Sequence, residues 1–461
     1  MRLFSQRSFA LSGRSMSGVL YISLLGLLVG GQGWLYEVHT AGATGVQQYN
    51  EFWSQQSGRD FQGWQQDEVV AEDEGIHADV QLSGTKRISC HSRDIDGGQV
   101  SYAKQVGLCQ GRDPYPARSY ERGRNYYNGG TFYFGILTSP IHMLQKPFTA
   151  LVASWNALTP SGTWLEFHVR VLEGARWTHW YNLPIWASDS STITRHSIEV
   201  PGDSMGVVDT DTFLTGKTAA HAYQIAVTLF TTSASISPHL KRVNVIASYD
   251  TNAQTTPFVP PLKAAWGVNL AVPQRSQMLA AYRNLGFGGG GEAWCSPTST
   301  SMIMAYWSKQ LNQPSLLQSV PEVASHTYDY TYDGAGNWPM NTAYAGSYNL
   351  KSFVTRMYSL SQLESWILAG VPIAASVAYR PGALPGSPIA SSPGHLLVVR
   401  GFTEHGDVVT NDPAAASDEQ VQIIYPRARF ETVWLNASHG TVYVIYPEKW
   451  LTPMLNRLNS W

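Results

Sequence analysis

At 461 residues the chain exceeds the size at which a single hydrophobic core stops growing, and 43% hydrophobic against 14% charged residues provide ample apolar surface, so two folded domains are expected. The 31 basic and 33 acidic residues form no blocks and leave a formal charge of -2. That balance argues against a polyanion-binding role, and nucleic acid is not an expected partner.

The chain opens with Arg2, Arg7 and Arg14 ahead of the apolar run VLYISLLGLLV and the small residues GGQG. The run is too short to span a bilayer comfortably, and its flanks are those of an export signal. Residues 1–31 are expected to be a signal peptide and the protein to be secreted, or associated with the cell surface. No clear A-x-A cleavage site follows, so membrane attachment is expected only if the signal stays uncleaved. In an oxidising compartment cysteines close in sequence tend to pair. Of the three cysteines, Cys90 and Cys109 are plausible partners and Cys295 is the odd one, read as half of an intermolecular bridge, a free reactive thiol or a buried core residue.

Residues 45–250 read as an all-β sandwich domain. In TWLEFHVRVLEG, Leu165, Phe167, Val169 and Val171 alternate with Trp164, Glu166, His168 and Arg170. HAYQIAVTLF repeats the alternation through Tyr223, Ile225, Val227 and Leu229, and GGTFYFGILTSP is a further strand. Trp155, Trp164, Trp177, Trp180 and Trp186 suit a core, or else a carbohydrate contact on the sandwich. Asp209 and Asp211 in VVDTDTF fit a solvated turn better than a calcium loop, for which ligands are too few.

Residues 251–266, TNAQTTPFVPPLKAAW, have the composition of a semi-extended linker. Residues 267–450 mix helix and strand. SQLESWILAG has Ser361 and Glu364 at capping-box spacing and stops at Gly370, and VPIAASVAY reads as a buried strand.

The odd cysteine stands in GEAWCSPTSTSMIMAYW. Pro297 suits the first turn of a helix, Met302, Ile303, Tyr306 and Trp307 recur with helical spacing, and Asn312 and Pro314 provide a stop. Cys295 is thereby placed at a helix N-terminus, where the macrodipole and unpaired N–H groups favour thiolate over thiol. A thiolate nucleophile needs a base held by a third group. Among 13 histidines, His395 begins the strand HLLVVRGF, and DVVTND returns after a turn near Glu404, His405 and Gly406, with Asp412 at its end. A turn centred on Glu404 and His405 sets Asp412 opposite Leu397, one same-face step from His395. An odd loop or a bulge would separate them. His395 as a structural strand residue, and NDP as an ordinary turn, are the competing readings; His405 belongs to the turn itself. A second oxyanion donor beside the Cys295 N–H is offered by Gln274 or Gln277, between which spacing does not choose.

These stretches, VPQRSQ, WCSPTSTSM, GHLLVVRGF and NDP, resemble the papain-fold cysteine peptidases related to the leader-cleaving peptidases of bacteriocin exporters, over about residues 268 to 446. The resemblance implies an α+β fold, a papain-like cysteine peptidase domain with a helix packed on an antiparallel sheet. It further implies Cys295 as nucleophile, His395 as general acid and base, Asp412 as its orienting partner and Gln277, rather than Gln274, as oxyanion donor. Ser296 stands where the pattern has Gly, which adds a side chain beside the nucleophile. The preceding sandwich is similar to an arrangement in exported bacterial members. The expected function is a secreted cysteine peptidase acting on a peptide or protein, including peptidoglycan peptides, with no metal or organic cofactor. The alternatives are a cell-wall amidase or acyltransferase using the same triad, or a glycan- or wall-binding protein without activity. The loop GFGGGG, residues 286–291, suits close approach of a substrate backbone, and GNWP near Trp338 a groove wall; ordinary surface loops fit both equally.

Overall fold

Alternating apolar residues in the N-terminal half build two antiparallel sheets. The computed structural model describes residues 49–72, 79–83, 99–102, 108–113, 130–198, 202–249 and 259–454; the expected signal, Cys90 and the first half of the expected linker lie outside these. The strands used below are β1 (Asn50–Gln55), β2 (Thr131–Thr138), β3 (Ala150–Leu158), β4 (Thr163–Glu173), β5 (Tyr181–Trp186), β6 (Gly206–Asp209), β7 (Thr212–Thr215), β8 (Ala220–Thr231) and β9 (His239–Ser248). One sheet of seven strands contains β6-β7-β3-β9 with β1 beside β9, and one of nine contains β4-β8-β2 with β5 beside β4. Across the space between them Trp155 of β3 stacks on Phe167 of β4, ring centroids 4.1 Å apart.

Strand β4 is buried on both faces. Leu165, Phe167, Val169 and Val171 enter the main core, while Trp164 joins Phe132, Phe134, Ile185 and Phe230 in a second cluster on the opposite side. Glu166 and His168 are therefore buried and face each other at 3.5 Å. Trp155, Trp164 and Trp186 are core residues. Trp177 and Trp180 each lie 4.8 Å from the Arg170 guanidinium. Cys109 is disulfide-bonded and Cys295 is free.

The C-terminal half comprises α1 (Cys295–Leu311), α2 (Val320–Thr327), α3 (Trp338–Ser347), β10 (Leu350–Arg356), α4 (Leu360–Leu368), β11 (Ile373–Tyr379), β12 (Ser392–Phe402), β13 (Val408–Asn411), β14 (Gln422–Tyr425), α5 (Arg427–Ser438) and β15 (Thr441–Pro447). Its six strands form one sheet in the order β10-β15-β11-β12-β13-β14, each neighbouring pair antiparallel. Helix α1 is buried along its length from Ser296 to Ser308, more than an apolar stripe requires, because Trp307 donates to Ile445 O on the sheet while Thr300 meets Asn341 of α3. It ends at Asn312, whose φ of 51° is a left-handed cap.

The capping box expected at Ser361 and Glu364 does not form. Helix α4 begins at Leu360, the Ser361 hydroxyl turns to Pro260 O, and Glu364 is buried. Glu364 accepts hydrogen bonds from Leu262 N, Trp266 Nε1 and Arg427, and so ties the segment entering this half to α5.

Residues Gly45–Trp461 form one compact unit. Asn156 of β3 imitates a paired strand, donating to Ser352 O at 2.8 Å and accepting from Ser352 N at 3.2 Å, while Ser154 accepts from Val354 N. Phe52 and Phe353 pack with ring centroids 4.7 Å apart, so one hydrophobic core continues across both halves.

Candidate active site

Cys295 is the first residue of α1 and is half-buried. No side chain caps this end, and Pro297 lacks an N–H, so the backbone N–H groups of Cys295 and Ser296 have no helical acceptor. The His395 side chain and the backbone N–H groups of Ser296 and Leu396 act on the sulfur and favour its charged form. Burial alone would push this thiol up; the hydrogen bond and positive charge of His395, with the two backbone donors, hold its pKa below the ordinary cysteine value.

His395 stands on β12 opposite Val377 and is almost fully buried. Its Nε2 is 2.7 Å from Asp412 Oδ1, which leaves Nδ1 for the thiol. Burial pulls the imidazole down, but the Asp412 carboxylate, aided by Cys295, raises it to about 10. Asp412 is fully buried; that burial raises its carboxyl, and the His395 cation with hydrogen bonds from His395, Tyr425 and Ala414 N brings it below the usual range. The arrangement therefore favours a thiolate-imidazolium pair backed by a carboxylate.

The hairpin that joins them departs from the simple reading twice, and the departures cancel. Phe402 pairs with Val408 across Thr403–Asp407, an odd number of residues, which taken alone would place Asp412 on the wrong face. A register shift between Val399 and Gly401 restores parity, so that Val398 pairs with Asn411. Arg400, at the shift, is held by Asn269 Oδ1 at 2.9 Å and Asn411 Oδ1 at 3.1 Å. His405 is exposed in the turn.

Gln277 is buried; its backbone N–H donates to Pro413 O and its Nε2 to Glu292 O at 2.8 Å, which places it against the loop entering α1. That bond uses one of the two Nε2 protons. Gln274 turns instead toward Gln422 on β14, at 3.5 Å. The glycine run serves the chain's own packing. A Cβ on Gly291 would collide with Gln277 O, and one on Gly288, whose φ is +83°, would lie 2.8 Å from Asp333 O. A groove of about 560 Å³ runs past Met278 and Ala414, lined also by Arg283, Ile389, Ala415 and Ile423.

Ser296 does not narrow access to the sulfur. It is fully buried, and its hydroxyl lies 2.8 Å from Tyr443 Oη on β15. Two contributors were not foreseen. Tyr425 donates to Asp412 Oδ2 at 2.7 Å, and the only hint in VQIIYP was a polar-tipped ring ending a strand. Asp211 is not in a solvated turn: it is buried and accepts from Trp338 N at 2.8 Å, at the start of α3. Among the described residues no group of three or more His, Cys, Asp or Glu is placed to hold a metal.

A free thiol at a helix entrance near a carboxylate-backed imidazole is the kind of constellation that nucleophilic thiol chemistry requires. Residues 269–442 match the Peptidase_C39 like family, and residues 51–248 match the Peptidase C39 N-terminal domain. Both halves are thus similar to domains of C39 peptidases, and these domains suggest a function of the cysteine-peptidase type. A crystal structure described as that of a C39-like peptidase from Bacillus anthracis is similar at 15% identity and a TM-score of 0.29, covering 40% of this chain and 98% of that one. No curated protein matches the chain.

Proposed function

We propose that the protein is an exported thiol hydrolase that cleaves peptide bonds through Cys295, His395 and Asp412. The observation that carries this is the Nε2 to Asp412 contact of 2.7 Å together with the half-buried thiol at the start of α1, whose charged form His395 favours. The thiolate attacks the scissile carbonyl carbon, and the oxyanion is held by the backbone N–H at the start of α1 and by Gln277 Nε2. The C–N bond breaks as the imidazolium gives its proton to the leaving amine. Water, deprotonated by His395, then hydrolyses the thioester and restores the thiol. Asp412 fixes the ring's tautomer and stabilises its cation.

In this reading residues 267–450 are a papain-like domain, residues 45–250 a β-sandwich and residues 251–266 the connection, a division supported by the two family matches ending and starting on either side of it. Export by residues 1–31 is supported by the disulfide at Cys109, since such bonds persist in oxidising compartments. The test is hydrolysis of a quenched fluorescent peptide library by the purified protein. Turnover that disappears in Cys295→Ala supports the proposal, whereas equal turnover in that variant refutes it.

A further inference from the structure

The N-terminal half reaches the loop in front of Cys295 through buried polar groups. Arg195, 2% exposed, donates to Ala187 O in its own half and to Ser325 O at 2.7 Å and Tyr328 O at 3.0 Å in the other. Ser197 N donates to Asp329 Oδ1 at 2.9 Å, and Asp211, on the turn between β6 and β7, receives Trp338 N. These contacts bracket residues 328–338. Within that segment Asp329 is fully buried and accepts from Thr331 N, Tyr332 N and Asn337 Nδ2, so the loop is tied to itself around the same carboxylate.

The segment in turn abuts the approach to the nucleophile. Tyr328 packs on Phe287, ring centroids 5.7 Å apart. Phe287 O accepts from Trp294 Nε1 at 2.9 Å, and Trp294 is fully buried against Val320, Ala324 and Ala335. Glu292 O, between them, accepts from Gln277 Nε2. The path from the Arg195 guanidinium to the amide of Gln277 thus runs through hydrogen bonds, one ring pair and the short stretch of chain from Trp294 back to Glu292.

We infer that Arg195 and Asp211 are positioning residues, through which the N-terminal half sets residues 328–338 and hence the geometry of Gln277 in front of Cys295. The inference rests on the proposed peptidase reading. It assigns the N-terminal half a part in catalysis, beyond any binding role. Because Gln277 acts on the oxyanion and not on the thiolate, loss of positioning slows acyl transfer and leaves the thiolate as reactive as before. Burial pushes the Asp211 carboxyl up to about 7, so a neutral amide is a close substitute for it there.

The experiment measures two quantities on full-length protein: the rate of Cys295 alkylation by iodoacetamide as a function of pH, and peptide kcat per alkylatable thiol. Arg195→Ala and Asp211→Ala are expected to lower kcat about tenfold or more, with the alkylation rate and its pH profile unchanged. Arg195→Lys and Asp211→Asn are expected to recover part of the loss. Exposed Asp209→Ala serves as the control and keeps wild-type kcat. In a double-mutant cycle Arg195→Ala and Gln277→Ala are expected to be less than additive. If the alanine variants lose only melting temperature and yield, with kcat per titrated thiol intact, the inference is overturned. Full additivity with Gln277→Ala also overturns it. Failure of the wild-type protein to be alkylated or to cleave any peptide would sink the peptidase reading first, and is distinguishable from both.

Discussion

Replacing Asp412 by Asn keeps an oxygen that can accept from His395 Nε2 but removes the charge behind the ring. At an effective dielectric of about 20, unit charges about 4 Å apart attract by ~4 kcal/mol. At 1.36 kcal/mol per unit this corresponds to ~3 pKa units. The His395 cation, raised to about 10 chiefly by Asp412, should therefore titrate nearer neutrality in the variant. Since the imidazolium donates the proton to the leaving amine, the alkaline limb of kcat/KM for peptide hydrolysis reports this ionisation. The assay is kcat/KM between about pH 5 and 11 for wild type and Asp412→Asn, with circular dichroism at each pH to establish folding. The expected result is an alkaline limb moved to lower pH by ~2 to 3 units, with a lower maximum. An alkaline limb at the same pH in both proteins would refute the reasoning, because the carboxylate would then contribute nothing to keeping the ring charged.

The same ionisation makes stability depend on pH. In Cys295→Ser, where Asp412 alone keeps the ring charged, the folded His395 pKa still lies above the unfolded value of about 6.5, so its contribution is complete below 6.5 and is lost as pH rises toward the folded value. Urea denaturation across that window should show the decline, which Asp412→Asn should largely abolish. Tyr425→Phe deletes a buried donor to Asp412 Oδ2 and is expected to cost ~1 to 3 kcal/mol and to lower kcat several-fold, read by denaturation and peptide turnover. Ser296→Gly should leave kcat nearly unchanged while destabilising the fold by ~1 kcal/mol or more, because it strands the Tyr443 hydroxyl in the core and places Gly inside α1. A marked gain in turnover there would mean that Ser296 does restrict access.

The parts of the fold that were legible rest on local rules. Pro297 and the spacing from Met302 to Trp307 marked α1, Asn312 marked its end, and alternation marked β4 and β8. The placement of the candidate residues was legible for the same reason, since a helix-opening Cys and a hairpin bearing His395 and Asp412 are both short-range patterns. Even so, the register came out right through two compensating irregularities, the odd turn at Thr403–Asp407 and the shift at Arg400, neither of which alternation can show. What was not legible depends on residues far apart in the chain. Glu364 has capping-box spacing, but three donors from elsewhere claim its carboxylate. Asp211 reads as a turn residue and becomes buried because α3 presents an unpaired N–H to it. Ser296 looks like an obstruction until Tyr443 is placed beneath it.

The central claim, that Cys295 carries the acyl group of a cleaved peptide, is tested most directly by quenching the protein in acid during turnover of a peptide with a slowly hydrolysed acyl group and mapping the digest by mass spectrometry. An acyl adduct on the fragment containing Cys295, lost after hydroxylamine and absent from Cys295→Ala, is the expected result. Continued turnover with no adduct on that fragment, or with the acyl group on another residue, would contradict the account.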